Sequence, residues 1–351
     1  MMHNMYRITH CHAWYCDWRS MELSKYIGKR LVLAALTLFM ISFVVFFVIQ
    51  LPPGDFVDHM VTNMIAQGET VTAADIANLK EMYGLNRPFL VQYFDWLGGI
   101  LTGDWGTSLY FKQSVLVKIG ETFGATIMLS LITMVMTYAI SIPIAIYSAK
   151  HQYSLFDYVI TLIGFVGMGV PNFLFAIVLM YISYKWTGTP LMGLFPEGGI
   201  TSWDSFVEFL TRLIIPVIVI STSGTCGLIR RIRSQLLDEQ EKPYVLCTRA
   251  KGVSESTLTY KYEMRAVLNP IVSGLGGMIA DIFNGTTITA IVLMLPTQGP
   301  VLLKALQSQD VYLSGGILLI SAAMVVLGTL ISDLLLTVLD PRIKFLEEKR
   351  A

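Results

Sequence analysis

The chain has 351 residues, of which 54% are hydrophobic and 14% charged, against about 25% charged in an ordinary soluble domain. Lys plus Arg and Asp plus Glu each number 25, so the net charge is zero. These figures exclude a disordered chain, a nucleic-acid binder acting through bulk positive charge and almost any soluble enzyme of this size; they point to a polytopic membrane protein.

Residues 1–20 contain His3, His10, Cys11, His12 and Cys16. These are metal-ligand types, but the second ligand pair of a zinc site is missing from the loops. The segment reads as an extension, or as a start placed too early with Met21 as the true first residue. Residues 21–49 lead into a first apolar run, Leu31–Ile49, which has the length of a span and not of a cleaved signal. The stretch 50–121 is long enough for a small extracytoplasmic loop domain. Within it, Thr72 predicts the cap of a short amphipathic helix over Asp75–Met82. The core, 122–339, carries five further apolar runs: Thr122–Ser148, Tyr158–Tyr184, Leu213–Ile229, Ala266–Leu295 and Leu313–Leu339. A span needs about 20 apolar residues as helix. The expected fold class is therefore an all-α polytopic membrane protein with six transmembrane helices, ending in a tail at 340–351.

Orientation follows from Lys and Arg in the connections. Positive charge collects before the first span (Lys25, Lys29, Arg30), at Lys150, over 230–265 and in the tail (Arg342, Lys344, Lys349, Arg350). The intervening segments 50–121, 185–212 and 296–312 are poor in it for their length. Both termini are thus expected in the cytoplasm, which six spans satisfy. Cys226 and Cys247 fall in a span and a cytoplasmic loop, so no structural disulfide is expected.

The chain lacks a phosphate-binding loop of the G-x-x-x-x-G-K-[ST] type, a H-E-x-x-H pair and a G-x-S-x-G elbow. Arginines do not recur at every third position as in a voltage sensor. Intramembrane charge is sparse. Asp333 lies near the cytoplasmic end of the last run and reads as a carboxylate reaching the interface. Asp281 is deeper, either in a water-filled pathway or paired with another helix. Pro143, Pro171 and Pro216 lie in or near the runs, with Gly164, Gly167 and Gly169 just before Pro171. Such residues serve close helix packing or hinges around a conduit. Asp281, Pro171 and Asn172 are the candidate pathway residues.

The loop between the fourth and fifth runs carries the sharpest local signal. Pro243 suits the first position of a helix that Tyr244 to Lys251 continue. Gly252 can end it in a left-handed conformation, and Ser254 can cap a second helix running toward Arg265. Helix, glycine turn and helix make a rigid knob on the cytoplasmic face.

Thr248-Arg249-Ala250-Lys251-Gly252-Val253, followed by Asn269-Pro270, resembles the EAA loop of permease subunits in binding-protein-dependent ABC importers, of the oligopeptide/dipeptide/nickel branch. The resemblance covers about 22–346. Leu51-Pro52-Pro53-Gly54-Asp55 resembles that family's L-P-G-D after its first span. Tyr83-Gly84-Leu85-Asn86-Arg87-Pro88 with Gln92-Tyr93 resembles its G-L-D-R-P…Q-Y segment. Gly103-Asp104-Trp105-Gly106-Thr107-Ser108 resembles its G-D-L-G-x-S, and Leu339-Asp340-Pro341-Arg342-Ile343 its closing L-D-P-R-I. Departures also stand out. Cys247-Thr248 replaces Thr-Ala, Tyr262-Glu263 replaces His-Ala, and Thr286-Thr287 replaces Glu-Thr. The loop Leu295-Pro296-Thr297-Gln298-Gly299-Pro300 departs from P-G-L-G and looks like members that move oligosaccharides.

The resemblance implies a permease of the type I importer kind that forms half of a translocation pathway and is not itself an enzyme. A second homologous permease would complete the pathway. Two ATP-binding subunits would hold ATP and Mg, so this chain needs no cofactor of its own. An extracytoplasmic solute-binding protein would deliver an oligopeptide or dipeptide, or alternatively an oligosaccharide. The expected coupling residues are Tyr244, Thr248, Arg249, Ala250, Lys251, Gly252, Val253, Asn269 and Pro270, on a knob over 243–266. A stand-alone secondary carrier is the alternative of another class, and it predicts more charge within the spans.

Overall fold

The computed structural model describes residues 28–68, 70–188, 191–196, 198–199, 201–278 and 287–339. Helix α1 (Gly28–Ile49) is followed by α2 (Phe56–Ala66), α3 (Ala73–Met82) and α4 (Phe89–Thr102). Long α5 (Val115–Lys150), the pair α6 (Leu155–Gly169) and α7 (Asn172–Thr187), and long α8 (Trp203–Gln240) come next. Then follow α9 (Pro243–Ala250), α10 (Glu255–Thr257), a π-helical turn (Leu258–Glu263) and α11 (Met264–Ser273). The chain closes with α12 (Thr287–Val292), α13 (Gln298–Gln307) and α14 (Val311–Leu339). In a bilayer each backbone polar group must find an internal partner, which is why apolar runs of this length fold as helices.

Among the described residues, α1, α5, α8 and α14 are each long and apolar enough to cross a membrane. The expected third span is not one straight helix. It breaks between α6 and α7, which meet at 104°. Val170 is extended (φ −84, ψ 123) and Pro171 stands as the cap of α7. Proline pushes the preceding residue out of the helical region, and the glycines before it resist that least. Pro143 and Pro216 bear the same intrinsic penalty yet lie inside unbroken α5 and α8. The fifth run appears as α11, one helical turn at 275–278 and α12. Residues 279–286 lie outside the described residues, and Asp281 with them. Six spans are thus not all visible as helices. The weak-looking run Leu213–Ile229 belongs to the 38-residue α8.

Helices α5 and α8 form the central pair. Buried Thr122, Thr126, Ser130, Thr133, Thr137 and Ser141 recur along α5. Most of these hydroxyls return a bond to their own helix, as Thr126 does to the Thr122 carbonyl (2.8 Å) and Ser130 to that of Thr126 (2.7 Å). Ser141 instead donates to the Thr225 carbonyl of α8 at 3.2 Å. Gly224 lies where a Cβ would touch Thr137 at 3.6 Å. Small and hydroxylated faces let two helices approach where no hydrophobic drive between them exists.

An ion pair fastens the first limb of the broken span to this pair. Asp157 of α6 is 3% exposed. Arg233 of α8 donates to it twice, from Nε (2.7 Å) and Nη2 (2.6 Å). The Ser148 hydroxyl and the Tyr153 amide complete the carboxylate's shell. Asp333 also differs from expectation. It does not simply reach the interface but pairs with Arg30 of α1 at 2.7 Å.

The segment 50–121 packs on the C-terminal end of α1 and the N-terminal end of α14. Tyr93 and Trp96 of α4 bury against Phe46 of α1, and the Tyr93 hydroxyl meets Ser42 Oγ at 2.9 Å. Helix α3 begins at Ala73 with Thr72 and Asp75 forming a reciprocal cap. None of its residues is buried, so the expected amphipathic face is unused; Lys80 ties it to Asp55 (2.8 Å) and Asp58 (2.9 Å) of the preceding turn and helix. The 104–114 loop is clamped at its centre. Asp310, fully buried, accepts from the Ser108 hydroxyl (2.6 Å), the Tyr110 amide (3.1 Å) and the Leu313 amide at the start of α14 (3.1 Å).

Two outcomes follow for stability. Asp310→Ala strands three donors and is expected to cost about 3 kcal/mol or more, read as a lower unfolding midpoint in detergent; an unchanged midpoint would sink this account of the clamp. Arg233→Met leaves Asp157 buried and uncompensated, and should cost about 3–5 kcal/mol. The double variant Arg233→Met, Asp157→Leu should recover most of it in the same melt, and no recovery would mean that the pair is not the cause.

Candidate functional site

Two features stand apart from plain packing: the knob after α8 and a polar cavity beside it. The knob starts where α8 ends. Pro243 takes the first helical position of α9, as its fixed φ favours. Gly252 ends the helix at φ +78, a region costly for any residue with a Cβ, and the space around it is open. Ser254 sits at the cap of α10, though its hydroxyl bonds Thr257 Oγ1 (2.9 Å) and not the helix backbone. The second arm then differs from expectation, because its middle is a six-residue π turn. Such turns are rare and gather at functional sites.

Val245 and Leu258, both fully buried, form the inside of the knob. Arg249 bridges the two arms by donating from Nε (2.8 Å) and Nη2 (3.3 Å) to Glu255. Thr248 turns its hydroxyl inward to the Tyr244 carbonyl (2.7 Å). Tyr244, Arg249, Ala250, Lys251 and Gly252 are exposed, and Val253 is half-buried. Leu246 and Tyr260 add open apolar surface. Asn269 and Pro270 lie on α11, beyond the π turn, and take no part in this exposed face.

Two acidic groups at the root were not among the expected coupling residues. Glu239, on the last turn of α8, accepts from Tyr244 Oη and pairs with Lys242. Lost solvation and the neighbouring Glu239 hold the Tyr244 phenol well above its usual range. Glu263 is 1% exposed, and among the described residues neither carboxylate oxygen makes a hydrogen bond of ordinary geometry. Burial pushes its carboxyl above the ordinary value, with Thr259 and Gln240 offsetting part of this. The signal available beforehand was the departure at Tyr262-Glu263 from the family pattern.

The cavity, about 600 Å³, lies among α5, α7, α8 and α11. Asn172, the first residue of α7, lines it, with Tyr138, Ser223 and Gly277. Pro171 is exposed at the break beside it and creates the helix start that places Asn172 there. Arg231 also lines the cavity, although charge counting had assigned it to the cytoplasmic loop.

Residues 141–345 match the family described as binding-protein-dependent transport system inner membrane component. Residues 23–130 match the corresponding N-terminal family. The chain is 33% identical over 328 residues to the oligopeptide transport system permease protein AppB of Bacillus subtilis, covering 92% of this chain and 100% of that protein. It is 27% identical over 322 residues to the dipeptide transport system permease protein DppB of Lactococcus lactis, covering 91% and 99%. It is 28% identical over 341 residues to the DppB of Escherichia coli, covering 91% and 98%.

The buried Glu263 carries a pH prediction. A carboxyl raised by burial weakens the fold where it must be charged, so the cost is absent at acid pH and grows as pH rises through its unfolded value toward its folded one. Glu263→Gln should therefore raise stability at about pH 8 and change it little at about pH 4. Melts at both pH values check this, and a gain equal at both would count against it.

Proposed function

The chain belongs to the family of binding-protein-dependent transport system inner membrane components, in the oligopeptide/dipeptide branch, and on that premise we propose that it is one permease half of an ATP-driven importer. In this reading a second, homologous permease supplies the other half of the pathway. ATP is bound and hydrolysed by two separate subunits. An extracytoplasmic binding protein delivers the solute, and both termini of this chain face the cytoplasm. Six spans cross the membrane, with α6–α7 as the broken third and α11–α12 as parts of the fifth.

The observation that carries the coupling role is the knob itself. Its inner face is filled by Val245 and Leu258, its arms are cross-braced by Arg249 and Glu255, and it is bound to the tip of α8 through Glu239. A body braced in this way transmits force and does not flex. Its open face of Tyr244, Leu246, Arg249, Lys251 and Tyr260 suits a groove on an ATPase partner. When the ATPases close, the knob would move with α8, and the pathway helices that pack on α8 would follow.

The solute is proposed to be a short peptide. The relatives named for oligopeptide and dipeptide transport support this. The oligosaccharide alternative rested on the loop Leu295–Pro300, and packing accounts for that departure. Gln298 is buried with its backbone N–H donating to Thr126 Oγ1 at 3.0 Å, and a Cβ at Gly299 would meet Thr287 Oγ1 at 2.9 Å.

Gly252→Val tests the coupling role. Nothing crowds position 252, so the change acts through the φ +78 backbone and the docking surface. Peptide uptake by cells should fall about five- to thirtyfold, the equivalent of the penalty of about 1–2 kcal/mol for a β-branched residue in the left-handed conformation. The variant chain should still co-purify with its partner permease in gentle detergent. Normal uptake would end the proposal, as would a wild-type chain that never brings an ATPase with it, even after crosslinking.

A further inference from the structure

Three arginines close together on α8 meet three different fates. Arg233 is held by Asp157 in the buried pair described above. Arg230 lies over the Phe165 ring, 5.8 Å from its centre. Arg231 turns the other way, into the polar cavity, and has neither an ion pair nor a hydrogen bond among the described residues. No Asp or Glu among the described residues lines that cavity.

Arg231 is exposed rather than buried, so its guanidinium keeps its solvation while lining the cavity with its donors available to a ligand. Its fork of donors fits a planar, bidentate anion better than any neutral group. The surroundings keep the fork open. A Cβ built on Gly274 would stand 3.7 Å from Arg231 Nη1, an ordinary contact, so position 274 borders the guanidinium without crowding it. The Tyr138 hydroxyl, which lines the same cavity, donates to the Ile271 carbonyl at 3.5 Å and makes no bond to Arg231 among the described residues. Asn172 supplies an amide across the same space, able to donate to an oxygen or to accept from an N–H. A volume of about 600 Å³ is in the range that holds a small ligand.

We propose that Arg231 reads the terminal carboxylate of the cargo as it passes through this cavity, with Asn172 as a second polar contact. The inference rests on the peptide reading above and deepens it: the selected feature is a free α-carboxylate, which every unmodified linear peptide carries once. A phospholipid phosphate offers the same oxyanion chemistry, and the test separates the two.

The assembled importer, with both permeases, both ATPases and its binding protein, is reconstituted in liposomes. ATP-driven uptake of radiolabelled trialanine and of trialanine amide is measured at saturating binding protein. The ratio of acid to amide uptake is the readout, because any preference of the binding protein is common to all variants and cancels. In Arg231→Gln this ratio should drop about tenfold, the effect of one charge-assisted bond. Arg231→Lys, which keeps the charge but loses the fork, should restore it partway. A ratio unchanged in Arg231→Gln, with both peptides still moved or both reduced alike, overturns the inference and assigns Arg231 to lipid contact or to orientation. That result leaves the peptide reading intact. If the wild-type importer moves neither peptide, the peptide reading fails and this inference falls with it.

Discussion

The buried pairing of Asp157 with Arg233 is the constraint on which the arrangement depends. It joins α6 to α8, and through the Ser148 hydroxyl it includes α5. One end of the broken span is thereby fixed to the longest helix of the molecule. At 38 residues, α8 is about 57 Å long, enough to reach from the outer surface to the knob. A displacement of the knob and a displacement of the α6 limb are therefore the same event, provided that α8 stays rigid. Isolated, such an ion pair is weak evidence for stability, because desolvation offsets most of its attraction. Its value here lies in register: it selects one rotation of α6 on α8.

Around that anchor the molecule divides its polar groups into two kinds. Most of the buried hydroxyls along α5 donate to carbonyls of their own helix or of α8, so they contribute close packing and no chemistry. The groups at the break between α6 and α7 are different. Proline there removes a helical bond and starts a new helix at membrane depth. An irregular backbone is tolerated at such depth only where protein or a water-filled cavity covers it. The cavity lined by Asn172, Tyr138 and Arg231 meets that condition.

The ordered motifs of the segment 50–121 turn out to be structural. Gly54 and Gly103 provide left-handed turns, and Asp55 accepts the Asp58 amide at 3.0 Å to start α2. Gln92 folds back onto the Arg87 carbonyl (2.8 Å), and Tyr93 enters the aromatic cluster with Phe46 and Trp96. In the Gly103–Ser108 motif, Asp104 accepts the Gly106 amide at 3.1 Å, Gly106 lies under the Tyr312 ring, and Ser108 reaches Asp310. These residues set the shape of a platform on the ends of α1 and α14. None of them forms a reactive constellation.

Much of this was legible in the chain itself. Apolar length located the membrane helices, since a bilayer admits little else, and Pro243, Gly252 and Ser254 located the knob, since each acts through its own backbone preference. Local rules of that kind need no knowledge of distant partners. They failed wherever the outcome depended on what lay opposite. Pro171 breaks its helix while Pro143 and Pro216 do not, although all three carry the same intrinsic penalty. Asp310 and Ser108, far apart in sequence, form one clamp. Arg230, Arg231 and Arg233 look like a single cytoplasmic charge cluster, yet one stacks on a ring, one closes a buried pair and one faces the cavity. Helical length and turns are set by a residue and its near neighbours, so the sequence alone determined them. The partner of a charge and the side of a helix it faces are set by how helices pack, and only the tertiary structure decided those.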